Sequence, residues 1–179
     1  MNIYNFRKKK NNNNTEIILH KSIEKVPETI SDDVSANNSF SLLLKKELIN
    51  IVQIFRQHGC DIVASDTEIK MAYDTSWFSE YRIIRKDGIY LYREVAMGGY
   101  NLEKRLDCTD MSASFLILCA DLLLGMKYRK MISTDEPDYH IICETMQSNK
   151  SYVLSIVADH NNFLVEGFIN SVKTCSDKK

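Results

Sequence analysis

No two of the five cysteines, at 60, 108, 119, 143 and 175, have C-x-x-C spacing, and no His/Cys cluster has zinc-ligand spacing. The cysteine count is also odd, so a secreted disulfide scaffold and a metal site are both set aside, and reduced thiols are the expected state. Long apolar runs are missing as well. The longest, Phe115 to Leu124, is interrupted by Asp121 and is too short to span a bilayer. The N-terminus lacks the apolar stretch of a Sec signal, so any export is expected to use a route that reads a polar N-terminus. Nor is there an excess of positive charge. The formal net charge of −1 includes Arg7, Lys8, Lys9 and Lys10, which leaves −5 on the rest of the chain. A mildly acidic body argues against nucleic-acid binding, and the short basic run reads as a solvated tail. There is no internal repeat.

What is present suits one compact domain with a tail. The chain has 179 residues, 44% of them hydrophobic and 26% charged, enough apolar material for a core with an ordinary soluble surface. Residues 1–38, with the Asn11–Asn14 run and one short apolar patch at Ile17-Ile18-Leu19, read as a disordered tail and potential secretion signal. The remaining residues, 39–179, read as a single domain. Leu44, Leu48, Ile51, Val52 and Phe55 share one helical face, which predicts a helix over 40–58 closed by Gly59. Asp87-Gly88 between two apolar segments predicts a two-residue hairpin, with a third strand over Tyr100–Leu106. Thr109 is the expected N-cap of an almost wholly apolar central helix that Gly125 ends. Tyr139–Met146 and Ser151–Ala158, rich in β-branched residues and joined by Gln147–Lys150, read as a second hairpin, and Phe163–Val172 as a closing helix. The fold class is therefore α+β, a central buried helix packed on an antiparallel sheet.

Thiol catalysis needs a thiolate, a base, and a group that orients the base. Among the cysteines only Cys108 stands at an expected helix start, where unpaired N–H groups and the dipole lower a thiol pKa. If Asn149-Lys150 form the turn of the second hairpin, His140 faces Asp159 across the strands, close enough for an imidazole–carboxylate hydrogen bond. This register follows from the turn position, and a slip by one residue would remove it. Trp77, with Phe78, Tyr73 and Tyr81 nearby, is a candidate substrate contact, although packing around the hairpin is the commoner use of such residues. Asp138, in the acidic stretch before His140, could line a cleft.

The stretch Leu106-Asp107-Cys108-Thr109-Asp110-Met111-Ser112, followed by an apolar helix ending Leu124-Gly125, resembles the nucleophile helix of the papain-like and transglutaminase-like cysteine hydrolases. That family's order of Cys, His and Asp falls here on Cys108, His140 and Asp159. The resemblance implies a cofactor-free hydrolase of protein amides, a protease or glutamine deamidase. Cys108 would attack, His140 would relay the proton and Asp159 would hold the imidazole. Asn101 is the nearest upstream amide for an oxyanion site, and the backbone N–H groups of Cys108 or Thr109 could serve instead. It further implies a bacterial effector, made in the cytoplasm and exported to act on a host protein. A second reading stands beside it: a non-enzymatic binding protein of the immunity type, whose acidic body and Asp87-Gly88 hairpin suit stoichiometric neutralisation of a toxin.

Overall fold

The computed structural model describes residues 31–73, 79–87, 89–96, 100–106 and 108–176. Two helices, α1 (Ser31–Leu43) and α2 (Lys46–Gln57), lead into five strands: β1 (Cys60–Ser65), β2 (Glu68–Tyr73), β3 (Ser79–Lys86), β4 (Ile89–Ala96) and β5 (Tyr100–Leu106). Four helices follow, α3 (Met111–Tyr128), α4 (Pro137–Ser148), α5 (Lys150–Ile156) and α6 (Phe163–Ser176). The strands form one antiparallel meander in the order β1-β2-β3-β4-β5. The class is α+β.

Alternation along the strands sets which face is covered. Ile62 pairs with Met71, and Met71 with Tyr81; Ile69 pairs with Ile83. All five are buried with Cys60 on the helix-facing side. The Asp87-Gly88 hairpin forms as the sequence predicts. Lys86 pairs with Ile89, and Asp87 takes a φ of 53°, a left-handed conformation that Asp tolerates.

The apolar helix α3 lies between the sheet and the C-terminal helices, touching β3 on one side and α4, α5 and α6 on the others. A helix that is apolar all round must be covered all round, and residues from Phe115 to Ala120 are each at most 2% exposed. By length and composition α3 could cross a membrane, but 72% of it is buried inside the fold. Its N-cap is Asp110 rather than Thr109: Asp110 Oδ1 accepts the Ala113 N–H at 2.8 Å. The helix also runs through Gly125 to Tyr128, because Met126, fully buried, anchors the next turn against the core.

Three further expectations are corrected. The single helix expected over 40–58 is two, and α1 begins at Ser31, within the segment read as a tail. Phe40 is completely buried, and Asn37 Oδ1 accepts from Gln53 Nε2 at 3.0 Å, so α1 is held against α2. The break falls at Lys45, whose N–H leaves the helical ladder and donates to Ser112 Oγ of α3 at 2.9 Å. The expected second hairpin is absent: residues 137–156 are helices α4 and α5. Pro137 opens α4, and Tyr139, Ile142, Cys143 and Met146 recur at i, i+3, i+4 and i+7, all buried on one face. Finally, Cys143 of α4 and Cys175 of α6 are joined, with Sγ atoms 2.16 Å apart, instead of remaining free thiols. Cys60, Cys108 and Cys119 are unpaired and buried.

Candidate functional site

Cys108 lies two residues before the N-cap of α3, outside its first turn. It is 2% exposed. Its backbone N–H donates to Leu106 O at 2.9 Å, and its thiol donates to Asp110 O at 3.3 Å. The helix start is occupied from within: Asp110 takes the Ala113 N–H, and Ser114 Oγ donates back to Asp110 O at 2.9 Å. The phenol of Tyr152, from α5, stands beside Asp110 and Cys108 under the Lys45 ammonium, which lies 3.1 Å from its ring centroid. Burial, then the Asp110 carboxylate, push that phenol far above its ordinary pKa. A neutral phenol is not a base. The group around Cys108 is a packed cluster held by Asp110, Ser114, Tyr152 and Lys45.

His140 and Asp159 are not brought together by the hairpin register that paired them, because no hairpin forms there. His140 is exposed in the first turn of α4, with its ring edge-on to Tyr139 at 5.8 Å between centroids. Asp159 is exposed in the turn after α5, where its Oδ1 accepts the Asn161 N–H at 2.9 Å. Nor does His140 reach Cys108. The start of α4 is tied through His58 to Met131, just past the C-terminal end of α3, whereas Cys108 precedes the N-terminal end. A helix of 18 residues separates those ends by roughly 27 Å.

The supporting residues are dispersed too. Asn101 lies on β5 opposite Val95, and Thr109 is exposed in the bend before α3. Trp77, with Phe78, lies outside the described residues. Asp138 does not border a cleft with Cys108; its Oδ2 meets His58 Nε2 at 2.9 Å. Among the described residues no group of three His, Cys, Asp or Glu side chains is arranged to hold a metal ion.

The arrangement that sequence reasoning missed lies on the other face of the sheet. Three rows cross β1, β2 and β3 there: Asp61-Ala72-Glu80, Val63-Lys70-Arg82 and Ser65-Glu68-Ile84. Lys70 and Arg82 stand directly opposite each other, a repulsive pairing that the diagonal neighbours cancel. Lys70 Nζ meets Glu80 Oε2 at 2.7 Å, and Arg82 Nε bonds Glu80 Oε1 and lies 3.3 Å from Glu68 Oε1. Burial alone would raise the Glu80 carboxyl, but its bonds to Lys70 and Arg82 hold it below the usual range. A shallow cleft of about 310 Å³ runs over this face, bordered by Asp61, Val63, Ser65, Glu68, Lys70 and Arg82. Val63 is 53% exposed beside the ion pairs. The alternating order Glu68-Ile69-Lys70-Met71 carried the signal. Only the register could align it with Glu80-Tyr81-Arg82.

No family model, no curated protein and no solved structure matches this chain.

Proposed function

We propose that this protein works by binding another protein, without catalysis, through the solvent face of β1, β2 and β3. The observation that carries this reading is the Glu68–Arg82–Glu80–Lys70 network around exposed Val63. Arg82 is fixed in place by two carboxylates, so it would lose little side-chain freedom on meeting a partner. Arginine anchors beside apolar contacts are common sources of binding energy, and rows of alternating charge give orientation and selectivity. The acidic body suits a basic partner. Neutralisation of a toxin by stoichiometric capture is a function of this kind.

The thiol-hydrolase reading retains one support, the position of Cys108 just before α3. It needs a base that could reach a thiol 2% exposed, and His140 stands at the opposite end of that helix. A two-part experiment separates the readings. Proteins retained by the immobilised chain are compared with those retained by Arg82→Glu and Cys108→Ala, and a differential partner is purified and titrated. Arg82→Glu is expected to weaken its Kd at least about tenfold, a loss of ~1.4 kcal/mol, with Cys108→Ala unchanged. Iodoacetamide at neutral pH is expected to label Cys108 no faster than Cys60. Fast selective labelling of Cys108, abolished by His140→Ala, would overturn the proposal in favour of the enzyme.

A further inference from the structure

His58 closes α2, and each of its ring nitrogens meets an oxygen that can only accept. Nδ1 lies 3.0 Å from the carbonyl oxygen of Met131, in the connection from α3 to α4. Nε2 lies 2.9 Å from Asp138 Oδ2 in the first turn of α4. Glu136 Oε2, at the N-cap of α4, stands 3.8 Å from the same nitrogen. A carbonyl and an ionised carboxylate donate nothing, so both contacts are satisfied at once only when the ring carries two N–H protons and a positive charge. A neutral imidazole has one N–H. In either tautomer a nitrogen lone pair would then face an oxygen lone pair at 2.9–3.0 Å.

The surroundings favour the cation. A helix C-terminus attracts positive charge and a helix N-terminus negative charge, and here the end of α2 meets the beginning of α4. The other nearby charge of α2, Arg56, is directed to Ile62 O of β1 through Nε at 3.2 Å and Nη2 at 2.7 Å. Glu136 and Asp138 are thus the charges that act on the ring. The His58 side chain is 15% exposed, shielded from bulk water but near enough to it to exchange a proton.

We infer that His58 is a proton-controlled latch: charged, it fastens the end of α2 to both Met131 and Asp138, and neutral, it releases one of the two. The proton passes to water, and no other bond changes. Because α2 leads into the sheet and α4 belongs to the C-terminal helices, the latch sets how firmly these parts are held at this corner. Burial alone would lower the imidazole pKa. The Asp138 hydrogen bond, the Met131 carbonyl and the Glu136 charge outweigh it and raise the value above 6.5. Since the folded value is raised, the stability that the latch adds is complete below 6.5 and is lost as pH climbs through the folded midpoint.

The test is an NMR titration of the histidine ring resonances in the full chain from about pH 5 to pH 9, with His20→Gln, His140→Gln and His160→Gln assigning the other three signals. Amide exchange of residues 131–139 is followed over the same range. The His58 midpoint is expected above 6.5 and lower in Asp138→Asn, and amide protection of 131–139 is expected to fall as the wild-type ring loses its proton. A midpoint at or below 6.5, or protection that does not change across it, overturns the latch. His58→Gln should remove the step in protection; if that variant does not fold, the wild-type titration and Asp138→Asn still decide the question.

Discussion

At the scale of single residues, neighbours of similar chemistry do different jobs because the backbone assigns them. Thr109 and Asp110 are both good N-caps on paper. Asp110 has the extended cap conformation, φ −118° and ψ 124°, and holds the Ala113 N–H, while Thr109 faces solvent. Asp110→Ala is therefore expected to cost about 1 kcal/mol in urea denaturation. Thr109→Ala should stay within about 0.5 kcal/mol. Glu80 is a second case. Its carboxyl is held below the usual range by Lys70 and Arg82, so the stability it adds is present above the unfolded carboxylate pKa and lost as pH falls through the lower folded value. Melting temperatures measured from neutral to acid pH should fall less steeply in Glu80→Gln than in the wild type. In the sequence His58, beside Cys60, could suggest a dyad but reads as a loop residue at the end of a helix. Its partners Met131 and Asp138 lie 73 and 80 residues away, a separation that local patterns do not carry.

At the scale of elements, some segments declare themselves and others need their neighbours. The β3–β4 hairpin is legible because Asp87-Gly88 is a two-residue turn signal, and Asp87 takes the left-handed conformation such a turn demands. The burial of α3 is legible because its run from Phe115 to Ala120 is apolar without a break. Helix α4 was obscured by its own composition: Ile141-Ile142 suggests a strand, and the spacing of Tyr139, Ile142, Cys143 and Met146 suggests a helix. The spacing prevailed, with Pro137 setting the start, because it puts all four side chains into the core. The break between α1 and α2 was invisible, since it depends on Ser112 of α3 receiving the Lys45 N–H. Ser112→Ala leaves that donor without its partner and is expected to cost about 1–3 kcal/mol by denaturant titration, depending on whether water reaches it.

For the whole molecule, covalent closure and burial act together. The Cys143–Cys175 bridge spans 32 residues and encloses α5 and most of α6. By chain entropy, a loop of that length contributes roughly 3–4 kcal/mol, so Cys175→Ser or reduction should lower the denaturation free energy by about that amount. A much smaller loss would mean that α6 is held by Phe168, Leu164 and Val172 alone. The candidate triad could not survive at this scale. Cys108, His140 and Asp159 were each placed by a local rule, and their convergence needed one hairpin, which the core replaced with two helices. The sheet-face network had the opposite fate. Its four charges were unremarkable in the sequence until three strands aligned them.

The order of the strands has a consequence for how the chain comes to be folded at all. Each strand pairs with the next one along, so the meander can close progressively without waiting for a distant segment. The cover of its apolar face comes in two parts: α1 and α2, which pack on β1, precede the strands, whereas α3, which packs on β3, starts only at Met111. During synthesis the β3 side of that face, with Tyr81 and Ile83, would thus be assembled before α3 has left the ribosome. For that interval the growing chain presents a sticky plane, and the charged rows on its reverse side help to keep it in solution.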